Sequence, residues 1–71
     1  MKNLKLKSAR AALDLSQDDL AGLVGATRQT IGMIEAGKYN PSLKLCLAIC
    51  RVLNKTLDEL FGEEEESYYE R

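Results

Sequence analysis

Ser16–Ile34, reading SQDDLAGLVGATRQTIGMI, decides how this 71-residue chain folds. Ser16 suits an N-cap, because its hydroxyl can accept from one of the first-turn amides that lack a helical partner. Asp18 and Asp19 then place negative charge at the positive end of the helix dipole. This predicts a helix over Gln17–Val24, ended by Gly25, since a left-handed residue after a helix is easiest for glycine. Thr27 caps a second helix, Arg28–Ala36, stopped by Gly37. Ile31, Ile34 and Glu35 share one of its faces, while Arg28, Gln29, Gly32 and Met33 lie mostly on the other, which is short of apolar bulk. Two capped helices joined by Gly25-Ala26-Thr27 have the length of a helix-turn-helix unit.

Outward from this segment, every apolar run is bracketed by a cap and a breaker. Upstream, Leu6, Ala9, Arg10 and Leu13 recur at helical spacing in a helix from about Leu4 to Leu13, with Arg10 the odd member. Downstream, Lys38-Tyr39-Asn40-Pro41 makes a loop, and Ser42 caps a helix over Leu43–Leu53 whose inner stripe is Leu43, Cys46, Ile49, Cys50 and Leu53. Asn54 ends it. Thr56-Leu57-Asp58-Glu59 matches a capping box that opens a short helix through Phe61, closed by Gly62. The expectation is an all-α, five-helix domain over residues 1–62 with a short acidic tail at 63–71. Self-repulsion in Glu63-Glu64-Glu65-Glu66 favours disorder of that tail, with a short strand as the alternative.

The net charge of −1 hides an asymmetry: residues 1–62 carry +3 and residues 63–71 carry −4. A mildly basic body is compatible with nucleic-acid binding without establishing it. Histidine is absent, and Cys46 and Cys50, four apart on one helix, cannot supply four zinc ligands. They read as buried, reduced thiols, with no metal and no cofactor expected. The acidic residues sit in helix first turns or in the tail, which leaves no constellation for an enzyme. No apolar run approaches a membrane span and no secretory signal follows Met1, so the cytoplasm is the expected compartment.

Leu15-Ser16-Gln17-Asp18-Asp19-Leu20-Ala21, Thr27-Arg28-Gln29-Thr30-Ile31, Ile34-Glu35-Ala36-Gly37-Lys38 and Asn40-Pro41-Ser42-Leu43 together closely resemble the phage repressor/Cro-like, or XRE, family. The resemblance covers roughly residues 4–62. It implies a lambda-repressor-like fold whose third helix enters the major groove of DNA while the second lies across it and touches the backbone. Thr27, Arg28, Gln29 and Thr30 bear the hydrogen-bonding groups such a helix needs; Arg28 suits guanine N7 and O6, and Gln29 suits adenine N6 and N7. Gln17 matches the family's phosphate-contacting glutamine. Lys38, Tyr39 and Asn40 would reach the backbone beyond the recognition helix, although Tyr39 could instead pack on the core. Gly32 and Met33 depart from the common pattern, which thins direct readout. Glycine inside a helix costs about 1 kcal/mol relative to alanine, so its presence suggests close backbone approach to DNA. Met33 could meet a thymine methyl or be an exposed packing residue. Arg10 and Glu35 match positions that form a partly buried ion pair in the family.

Leu57, Leu60 and Phe61 crowd a five-residue helix, and Leu45, Leu47 and Val52 lie off the inner stripe of the helix before it. That apolar excess predicts a homodimer through Leu57, Leu60 and Phe61, setting two recognition helices roughly 34 Å apart on a palindromic operator, the alternative being that Leu60 and Phe61 cap the subunit's own core. Repression by occlusion is the expected outcome for a compact dimer with no activation module. The competing class is a protein-binding module, in which the acidic tail with Tyr68 and Tyr69 would carry the contact to a protein partner.

Overall fold

Side-chain caps start all five helices, and each cap is a residue that can accept from the first turn. In the structure, a computed structural model that describes residues 2–62, these are α1 (Leu4–Ala12), α2 (Gln17–Val24), α3 (Arg28–Glu35), α4 (Leu43–Leu53) and α5 (Leu57–Phe61). Ser16, Thr27, Ser42 and Thr56 cap α2 to α5 as their sequence positions predict, and Thr56–Glu59 forms the expected capping box. A second capping box joins Ser16 to Asp19: the Asp19 amide donates to Ser16 Oγ and the Ser16 amide to Asp19 Oδ2, each at 2.9 Å. The acidic tail, residues 63–71, lies outside the described residues.

The core takes one fully buried side chain from each of the first four helices: Leu6, Leu20, Ile31 and Ile49. Around them close Ile34, Cys50, Leu53 and Leu60. The α2 and α3 helices pack on each other most extensively; α4 closes over α2, while α1 and α5 pair and brace α3 and α4. Cys46 and Cys50 are buried free thiols, and burial pushes both further above the usual thiol range. They therefore serve as small apolar residues. Among the described residues no group of side chains could hold a metal ion, and no helix is long and apolar enough to cross a membrane.

Some predicted inner residues are placed differently. Leu13 caps α1 rather than extending it and is half exposed, because the chain turns away at Asp14. Leu43 shares a face with Cys46 by spacing but is exposed and stands outside the core cluster. Ala36 caps α3 instead of lying within it.

Candidate nucleic-acid interface

The α3 helix has two faces with different employment. Ile31, Ile34 and Glu35 are buried, whereas Arg28 and Gln29 are exposed on the first turn, with Thr30, Gly32 and Met33 between these extremes. At its start, Thr27 Oγ1 accepts from the Thr30 amide at 3.1 Å and lies 3.0 Å from the Thr30 hydroxyl. The amides of Arg28 and Gln29 are left at the open, electropositive end of the helix, where an anion would be favoured. Hydroxyl, guanidinium, carboxamide and backbone donors thus converge on one exposed turn.

At the last turn of α3 lies a polar network. Arg10 grips Glu35 through Nε to Oε2 at 2.7 Å and Nη2 to Oε1 at 3.1 Å, and its remaining terminal nitrogen, Nη1, donates to the Leu15 carbonyl at 2.7 Å. Only 12% of the Arg10 side chain and 6% of the Glu35 side chain are exposed. The hydrogen bond to Glu35 raises the Arg10 pKa against the opposing effect of burial. Gln17 joins by donating from Nε2 to Glu35 Oε1 at 3.0 Å. Every buried side-chain nitrogen and oxygen among the described residues has a partner. The network ties α1, the turn before α2, α2 and α3 into one unit, so the exposed face of α3 is held from behind. With its guanidinium committed in this way, Arg10 serves architecture.

Beyond α3 the chain turns at Gly37, whose φ of 76° lies in the left-handed region. The Gly37 amide donates to the Ile34 carbonyl at 3.1 Å and the Lys38 amide to the Met33 carbonyl at 2.9 Å, a Schellman closure that fixes where Lys38 leaves the helix. Lys38, Tyr39 and Asn40 follow as an exposed loop, and Tyr39, 45% exposed, stands away from the core.

The residues expected at a dimer interface separate. Leu60 is 2% exposed and belongs to the subunit's own core, because the α5 turn aims it at α1 and α4; it is not available to a partner. Leu57, at 36%, remains on the surface, and Phe61 is partly buried against the core. Leu57 borders an open groove with Leu47, Arg51 and Asn54.

Sequence reasoning missed Asn3. Its backbone amide donates to the Glu35 carbonyl at 2.8 Å, its Oδ1 caps α1 through the Leu6 amide at 3.0 Å, and its Nδ2 donates to the Leu60 carbonyl at 3.0 Å. One residue, through its side chain and its backbone amide, therefore joins α1, α3 and α5. An asparagine three residues before the first buried leucine was a legible cap signal; its two long-range bonds were not.

The Helix-turn-helix family pattern matches residues 6–60. An uncharacterised HTH-type transcriptional regulator of Archaeoglobus fulgidus is 43% identical over 67 residues, covering 94% of each chain. YgzD of Bacillus subtilis, another HTH-type regulator, is 46% identical over 67 residues, covering 94% of this chain and 100% of the relative. In structure, the chain is similar to the restriction-modification controller protein C.AhdI from Aeromonas hydrophila, with a TM-score of 0.77 and 37% identity over 83% of this chain and 89% of that one. The chain belongs to the phage repressor/Cro-like (XRE) helix-turn-helix family, as a DNA-binding transcriptional regulator and not an enzyme.

Proposed function

We propose that this regulator is a cytoplasmic repressor that binds a palindromic operator as a homodimer, with α3 in the major groove of each half-site. The observation that carries this reading is the division of α3 between a face locked by Ile31, Ile34 and Glu35 and an exposed first turn bearing Arg28 and Gln29. A reading helix must hold its side chains against base edges without paying to order its backbone on binding. Arg28 offers a bidentate fork to guanine and Gln29 a carboxamide to adenine; Thr27 and Thr30 flank them, and Met33 supplies an apolar contact for a thymine methyl. Gln17, Lys38, Tyr39 and Asn40 hold phosphates on either side and set register.

Leu57 and Phe61, continued by Leu47, are the surface a second subunit would cover, and a two-fold partner there would present paired recognition helices. Selection of bound duplexes from a random DNA pool tests both parts. Inverted half-sites with centres about 10 base pairs apart are expected. Enrichment of isolated half-sites would remove the dimer from the reading, and a pool that never departs from random would remove sequence-specific recognition.

A further inference from the structure

We propose that Glu35 presets the carboxamide of Gln17 for DNA and that Gly32 keeps the space this requires, so that a side chain from α2 occupies the recognition surface where residue 32 of α3 would otherwise project. The proposal rests on the reading of Gln17 as a phosphate contact.

Glu35 is itself immobilised, since both of its oxygens are held by Arg10 at 2.7 and 3.1 Å. A carboxylate only accepts hydrogen bonds, so it selects the NH₂ end of Gln17, whose Nε2 lies 3.0 Å from Glu35 Oε1. The carboxamide is thereby fixed in one of its two orientations. One N–H is spent on Glu35 and the other remains available as a donor. The ordering of a long side chain is met during folding instead of on DNA binding, which is the advantage of preorganisation.

The same carboxamide lies across Gly32. A Cβ built at Gly32 would stand 3.5 Å from Gln17 Oε1, 3.8 Å from Nε2 and 3.9 Å from Cδ. These are ordinary contacts, so alanine fits, and its better helix propensity would favour the fold. A branched side chain places further carbons beyond Cβ, in the region the carboxamide occupies. Gln17 then has to leave Glu35 or the new side chain has to swing toward the groove. Glycine in the middle of α3 is accounted for by what lies beyond the Cβ position, not by the Cβ itself.

The test compares parent, Gln17→Ala, Gly32→Ala, Gly32→Val and the double variant Gln17→Ala/Gly32→Val on a duplex carrying selected sites over a range of salt. The Gln17 side-chain amide resonances are followed by NMR in the DNA-free protein. Gln17→Ala is expected to bind about tenfold more weakly at every salt concentration, the size of one hydrogen bond, with an unchanged salt slope because the group is neutral. Gly32→Ala should bind within about twofold of the parent, below the value of one hydrogen bond. Gly32→Val should match Gln17→Ala, add nothing in its background, and shift the Gln17 amide resonances; Gly32→Leu, a stronger helix former, replaces it if valine prevents folding. A valine effect that persists without Gln17, or amide resonances left in place, would overturn the proposal. Parent-like binding by Gln17→Ala would instead remove the phosphate reading on which it stands.

Discussion

Glu35 shows why a charge can be placed in a small core. Its carboxylate receives three hydrogen bonds, two from Arg10 and one from Gln17. The pair adds little net stability over an apolar replacement, but loss of one partner strands the other charge. Glu35→Ala is therefore expected to cost about 3–5 kcal/mol in chemical denaturation; a loss under about 1 kcal/mol would show that Arg10 finds water at no expense. At the exposed face the expectations differ by residue type. Arg28→Ala and Gln29→Ala should each reduce discrimination between operator and scrambled duplex by about 1–3 kcal/mol. Lys38→Ala should leave discrimination intact and flatten the salt dependence of binding by about one unit of slope. Titration of all three variants against both duplexes separates base reading from phosphate contact.

At the scale of the element, α1 to α4 share one ending. A left-handed residue follows each helix, and the next amide reaches back five residues: Leu15 to Arg10 at 3.2 Å, Ala26 to Ala21, Lys38 to Met33 and Lys55 to Cys50, the last three at 2.9 Å. The left-handed positions are Asp14, Gly25, Gly37 and Asn54. Glycine adopts that region freely, and Asn or Asp tolerate it better than other side chains. Asn54→Ala should consequently destabilise the protein by about 1 kcal/mol, while Asn54→Gly should be nearly neutral, as thermal melting would show. The capping boxes add an acid dependence. The hydrogen bond from the Ser16 backbone amide, with a smaller contribution from its side chain, holds Asp19 below its ordinary value of 3.8. A lowered folded pKa means that the carboxylate's contribution is present above the unfolded value and is lost as pH falls through the folded one. Asp19→Asn should melt below the parent at neutral pH, and the gap should narrow as the pH drops beneath the carboxylate range. A gap that stayed constant with pH would detach Asp19 from the cap.

For the whole molecule, the apolar inventory sets what remains for a partner. Leu60 goes to the core, while Leu57 and Leu47 stay at the surface beside the groove between α4 and α5. A charge at Leu57 would be solvated in a monomer and buried in the proposed dimer. Leu57→Asp is thus expected to remain folded by circular dichroism, sediment as a monomer, and bind the operator far more weakly than the parent. A folded dimer with undiminished binding would place the interface elsewhere.

Helix order and boundaries were legible in the residues because their causes are local: Ser16, Thr27, Ser42 and Thr56 cap amides three residues away, and Gly25 and Asn54 stop helices through their own φ. The exposed first turn of α3, with Arg28 and Gln29, was legible from periodicity for the same reason. The sequence by itself also determined the family, through motifs at fixed spacing, and with it the pairing of Arg10 with Glu35. Tertiary structure alone decided which of several same-face leucines were covered, burying Leu60 and leaving Leu13 and Leu43 outside, since burial depends on where neighbouring helices end. It alone revealed Asn3 bridging to the Leu60 carbonyl 57 residues away and Gln17 reaching Glu35 across the face of Gly32. Such bonds link groups whose separation along the chain carries no periodic signal, and they exist only once packing has fixed the helices against one another.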